Sequence, residues 1–160
     1  MDTTQIQAFF FKAMVEGWAT TGGGQKITIP QMPGYKAIDF KDGDFRLLDC
    51  YCVNPHSPMS AGTTAIWYQG NPVWMMSYGG FYTDSVIAFL KRALLKTYKA
   101  SQFVGGRGPY VYTENDLVYT NRSSGDFNRF SGREEVLNTQ TGVLLGFHEY
   151  SGIDLSKIPQ

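Results

Sequence analysis

The sequence predicts an α+β fold, an antiparallel sheet of sequential hairpins with an N-terminal helix and one central helix packed on it. Three observations carry this. Residues 35–53 and 63–78 are β-rich runs that each break at a two-residue turn, Asp42-Gly43 and Gly70-Asn71. Only two stretches have helical spacing. After the second of them come short β-like runs separated by Asn, Ser and Gly, rather than the strand–helix alternation of a parallel sheet.

The first helix is capped by Asp2, with Gln5 three residues on. Ile6, Phe9, Phe10, Ala13 and Met14 give it one apolar stripe, and Gly17 is its expected stop. Thr20 to Gln25 is a glycine-rich connector. It lacks the Lys-Ser/Thr ending of a phosphate-binding P-loop. In the first hairpin, a turn at Asp42-Gly43 sets Phe40 opposite Phe45, Ile38 opposite Leu47, Asp39 opposite Arg46 and Lys36 opposite Asp49. In the second, Gly70-Asn71 sets Trp67 opposite Trp74, Tyr68 opposite Val73 and Ile66 opposite Met75. Pro72, which lacks an N–H, suggests an edge there. Residues 83–99 read as the central helix, capped by Thr83, with Ile87, Leu90, Leu94, Leu95 and Tyr98 inward. Lys91, Arg92, Lys96 and Lys99 lie toward the end where the helix dipole favours cations. The later strands are expected at Tyr110–Thr113, Leu117–Thr120, Asp126–Phe130, Glu134–Leu137 and Val143–Tyr150.

The 160 residues suit a single domain, 1–160. The formal charge is zero. Residues 1–80 carry five basic and six acidic side chains, and residues 81–160 nine and eight, so neither half offers the basic field that nucleic acid needs. No apolar run is long enough to span a membrane as a helix. The start lacks the basic segment of a signal peptide, so a cytoplasmic location is expected. Cys50 and Cys52 are too close along a strand to bridge without strain and read as free, reduced thiols. With His56 they make a thin ligand set, so no metal and no cofactor are expected.

Catalytic signals are sparse. No nucleophile-elbow motif is present. His148 and Glu149 are neighbours on a strand and point to opposite faces, and His56 lies in a turn-rich loop. Trp67, Tyr68, Trp74, Tyr78, Phe81 and Tyr82 gather within sixteen residues, as core or as an aromatic cleft.

Phe11-Lys12-Ala13, Gly22-Gly23-Gly24, Gly43-Asp44-Phe45 and Asp49-Cys50-Tyr51 form one set of short motifs, followed by residues 72–80, Phe89-Leu90, Ala93-Leu94, Arg107-Gly108-Pro109, residues 130–134 and Tyr150-Ser151-Gly152. In these stretches the chain resembles a bacterial family described only as a domain of unknown function, whose members stand alone or follow a helix-turn-helix domain in transcription regulators. The resemblance implies a compact cytoplasmic bacterial domain and no assigned activity. Too few residues precede Phe11 for a DNA-reading helix pair, so direct nucleic-acid binding is not expected. It also draws attention to Arg107, Arg129 and Glu134, polar residues at motif positions. An Arg among glycines can present its donor fork to an anion, or can pair with Glu134 and pin loop to strand.

The leading expectation is a non-enzymatic ligand-sensing or accessory module with an aromatic-lined surface, taking a small-molecule ligand. The candidate ligand-binding residues are Trp67, Trp74, Tyr78, Arg107, Arg129, Glu134 and His148. The alternatives are a homodimerising interaction module, and a small-substrate enzyme using Arg107 with His148 or Glu149.

Overall fold

The computed structural model describes residues 2–19 and 25–157. Its elements run α1 (Thr3–Ala13), β1 (Gln25–Thr28), β2 (Tyr35–Asp42), β3 (Phe45–Val53), β4 (Met59–Tyr68), β5 (Asn71–Tyr82), α2 (Ile87–Lys99), β6 (Val111–Glu114), β7 (Leu117–Asp126), β8 (Arg129–Asn138) and β9 (Leu144–Asp154). The predicted α+β class is what forms. All nine strands join one antiparallel sheet in the order β1-β2-β3-β4-β5-β9-β8-β7-β6. The chain makes one meander to β5, crosses through α2 to the far edge, and meanders back until β9 pairs with β5. The strand β1 was not foreseen, and the glycine connector at 20–24 lies outside the described residues.

Asp2 caps α1 as expected, its carboxylate accepting the Thr4 N–H at 3.1 Å. Gly17 is not the stop. The α-helix ends at Ala13 and the chain continues through Met14–Ala19 as a wider π-type turn. Within that turn Gly17 lies close to the Phe40 ring. The buried side of α1 stacks Phe9 on Phe45 and sets Phe10 against Trp74 and Tyr98. Both helices therefore cover one face of the sheet. The helix-free face exposes Met75, Ser77, Ser131, Glu149, Ser151 and Ile153.

Both hairpins form with shifted registers. In the first, the turn is Gly43-Asp44, with the positive φ of 56° on Gly43. Phe40 then faces Leu47, Ile38 faces Asp49, Asp39 faces Leu48 and Lys36 faces Tyr51. The shift is two positions, so no side chain changes face. The Asp39–Arg46 ion pair survives on the diagonal, with Nε to Oδ1 at 2.9 Å. In the second hairpin, Gln69 and Gly70 both take positive φ and form the turn, as a type I′ turn requires. A bulge between Ile66 and Trp67 then moves Trp74 opposite Ile66. Trp67 and Trp74 consequently face opposite sides and make no cross-strand pair. β5 is central rather than an edge. Pro72 is tolerated because the β9 ladder begins only at Trp74, opposite Asp154.

A 3-10 turn, Asp84–Val86, precedes α2, and the Thr83 hydroxyl meets Ser85 Oγ instead of capping the backbone. The inward stripe is Phe89, Leu90, Ala93, Leu94, Thr97 and Tyr98, while Ile87 is 37% exposed. The small and polar inward members, Ala93 and Thr97, hide this stripe from a purely apolar count. Asp126 to Phe130 is not one strand: it holds the end of β7, the Phe127-Asn128 tip and the start of β8. There the Asp126 carboxylate accepts the Asn128 N–H, and Phe127 turns into the core.

Candidate functional site

Register alone assembles a polar row on the helix-covered face. Ser60 of β4 pairs with Gly80 of β5, Gly80 with His148 of β9, His148 with Glu134 of β8, and Glu134 with Asn121 of β7. Gly80 carries no side chain, and a Cβ there would meet the Phe147 carbonyl oxygen at 2.0 Å. His148 Nε2 lies 3.3 Å from Ser60 Oγ. On the other side, His148 Nδ1 lies 3.8 Å from Glu134 Oε1.

Glu134 is wholly buried and is held by the loop after α2 and by β7. Arg107, on the loop after α2, donates Nε and Nη2 to Oε1, with the Nε contact at 2.8 Å. The Tyr119 hydroxyl of β7 donates to Oε2 at 2.6 Å and in turn accepts the Gly108 N–H at 2.9 Å. Arg107 also lies over the Tyr78 ring at 5.7 Å, and Tyr78 stacks with His148 at 5.3 Å. The Tyr78 and Thr64 hydroxyls both donate to buried Asp49 at 2.8 Å.

The electrostatics follow from burial and this pairing. Burial pushes the Glu134 carboxyl upward, but the adjoining Arg107 guanidinium overrides it and holds the group below its ordinary value, hence charged. Burial first, and Arg107 second, lower His148 to about 4, so its imidazole is neutral at pH 7. Burial raises Asp49. Among the described residues, two buried side-chain polar atoms have no hydrogen-bond partner, His148 Nδ1 and the Tyr82 hydroxyl, and both sit beside the Arg107–Glu134 pair.

The helix-free face carries a second row. Cys50, Thr63, Ser77, Ser151, Ser131 and Ser124 are successive partners across six strands. The four serines of this row border an open trough of about 1150 Å³, whose rim includes Ser60, Gly80, Arg122, Arg133 and Phe147. A smaller depression of about 500 Å³ shares Ser77, Ser124, Ser131 and Ser151 and adds Arg129. Arg133 is engaged by Glu135 and Glu149. The guanidiniums of Arg122 and Arg129 make no hydrogen bond or ion pair among the described residues.

Of the residues singled out in the sequence, Tyr78, Arg107, Glu134 and His148 converge in the buried cluster. Arg107 takes its pairing role with Glu134. Trp74 is a core residue with 0% exposure, and Trp67 lies half-buried on the opposite face, its ring under Arg46 at 6.0 Å. The two therefore build no common aromatic cleft. Arg129 stands apart on the open face. Glu149 pairs with Arg133 there and shares no site with Arg107. His56 is exposed in its loop, and Cys50 and Cys52 are free thiols. No cluster of metal-type ligands occurs among the described residues. Sequence reasoning missed Ser60, Asp49, Tyr119 and Asn121. A register read from the observed turn at Gln69-Gly70 and its bulge would have placed Ser60 opposite Gly80.

The architecture defines an α+β domain with a nine-stranded antiparallel sheet and a buried ion-paired row under two helices. The chain belongs to the DUF5680 family, Domain of unknown function (DUF5680), whose model matches residues 57–153, more than half of its length. The matched stretch contains the whole Ser60–Gly80–His148–Glu134–Asn121 row. No curated protein and no solved structure matches the chain. No helix among the described residues is long and apolar enough to cross a membrane.

Proposed function

We propose that this chain is a ligand-binding domain of sensing or accessory type, and that its ligand is a small anion bearing hydroxyl groups, seated in the open trough. The observation that carries this is the pair of guanidiniums, Arg122 and Arg129, that have no partner among the described residues and are set among a row of hydroxyls on a face no helix covers. Arg supplies the planar donors that carboxylate and phosphate need. Serine hydroxyls both donate and accept, which suits a hydroxylated partner. The cleft expected around the tryptophans gives way to this face because Trp74 is core.

The test is native mass spectrometry of the protein purified from its own host, beside a variant carrying Arg122→Glu and Arg129→Glu. A bound anion in the wild type that is lost in the variant supports the reading. A bare mass, with no amide shifts at Ser131 or Ser151 on titrating sugar phosphates and hydroxy acids, overturns it.

A second reading, homodimerisation, is favoured by one observation. Tyr110 and Val111 at the short edge strand β6 are 62% and 61% exposed. Sedimentation of the wild type and a Val111→Lys variant tests it. A dimer that the Lys abolishes supports pairing at that edge.

A further inference from the structure

We propose that Ser60 is a nucleophile activated by His148 and oriented through Glu134, acting on a carboxylic ester. This goes beyond ligand binding, which stands with or without it. Nucleophilic catalysis by serine needs a base within hydrogen-bond reach and a third group that orients the base. Ser60 Oγ is 3.3 Å from His148 Nε2, and His148 Nδ1 is 3.8 Å from Glu134 Oε1. The exposure is graded to match. Ser60 is half-buried, His148 is 7% exposed, and Glu134 is 0% exposed.

The unpartnered Nδ1 is the second observation. For Nε2 to accept the Ser60 proton, Nδ1 must carry the ring hydrogen, and the carboxylate it faces is Glu134. At 3.8 Å that contact is too long for a hydrogen bond, and it shortens when the ring gains charge, as catalytic hydrogen bonds do. A Cβ at Gly80 would sit 2.0 Å from Phe147 O and 3.1 Å from His148 Cα, so glycine is what lets β5 lie this close to β9 where His148 stands.

The step balances. Ser60 Oγ bonds to the ester carbonyl carbon as its proton moves to His148 Nε2. The bond from that carbon to the alkoxy oxygen breaks, and the leaving alcohol takes the proton from Nε2. Water then repeats the sequence on the acyl-serine, releasing the acid and restoring Ser60. Glu134 is a positioning residue. It touches no substrate and stabilises the transient imidazolium.

The test is labelling of the intact chain with a fluorophosphonate, followed by peptide mapping, on the wild type, Ser60→Ala and His148→Gln, each confirmed folded by circular dichroism. The expected result is one adduct on Ser60, none in Ser60→Ala, and labelling slowed by about 100-fold or more in His148→Gln, the lower range for loss of a general base. In the phosphonylated wild type, a low-field His148 Nδ1 proton should appear as its bond to Glu134 closes, a signal a purely structural Glu134 would not give. No adduct on the folded wild type, an adduct at another residue, or equal rates in the wild type and His148→Gln overturns the proposal.

Discussion

Trp74 and Phe127 lie ring to ring, 5.2 Å between centroids and 17° between planes, and the Trp74 indole N–H donates to Phe127 O at 3.1 Å. Trp74 belongs to the first meander and Phe127 to a hairpin tip of the second. The contact therefore joins the two halves of the sheet away from their shared ladder. Trp74→Ala should cost about 3–5 kcal/mol in urea unfolding, through a cavity and an orphaned carbonyl. Trp67→Ala should cost under about 2 kcal/mol, since Trp67 is only half-buried beneath Arg46.

The Arg107–Glu134 pair should fail asymmetrically. Arg107→Leu leaves a carboxylate in the core, and Glu134→Leu leaves a guanidinium. Each single change should destabilise by about 3–5 kcal/mol, while the double change recovers part of the loss. Chemical denaturation of the three variants checks this. A double variant as unstable as the sum of the singles would show that the two charges act independently.

Gly80 has a φ of 151° and a carbonyl oxygen 2.0 Å from where a Cβ would stand. Gly80→Ala should therefore cost more than about 3 kcal/mol, because strain and backbone collision combine. Gly142→Ala also strains a positive φ but meets no atom within 4 Å, so its cost should be about 1 kcal/mol. Melting temperatures of the two variants separate the effects.

His148 is a base whose folded value is lowered, from 6.5 to about 4. The unfolded chain therefore binds more protons between those values, and stability must fall as pH drops through that window. The contribution is present above pH 6.5 and amounts to about 3 kcal/mol. His148→Gln should flatten this part of the stability–pH curve, measured by urea midpoints between pH 7 and 4. An unchanged slope would mean that His148 protonates freely in the folded chain.

The fold class was legible because helices and hairpins announce themselves locally. Asp2 and the Ile6–Phe10 stripe specify α1, and paired runs around glycine turns specify strands. Registers were less legible because a turn can form one residue later or earlier than its glycine suggests. Gly43 opens its turn and Gln69 precedes Gly70, and each choice moves every pairing behind it. The bulge near Trp67 has no signature beyond Pro72. The same uncertainty concealed the row. Arg107 and Glu134 drew attention as polar residues at motif positions, yet Ser60 looked ordinary until its partner Gly80 was fixed. Long-range strand order, which sets β9 beside β5, follows from burial across the whole chain and leaves no local mark.

That placement of β9 has a consequence for synthesis. The five N-terminal strands emerge first and expose the inner border of β5, and the later meander exposes that of β8. Residues 144–154 fill both at once, and they emerge after the other eight strands of the sheet. Until then the nascent chain presents two long unpaired borders, the surfaces through which chains adhere to one another. A chain ending before Leu144 should accordingly collect in inclusion bodies rather than persist as a weakened monomer, and the eleven residues supplied in trans as a peptide should rescue its solubility.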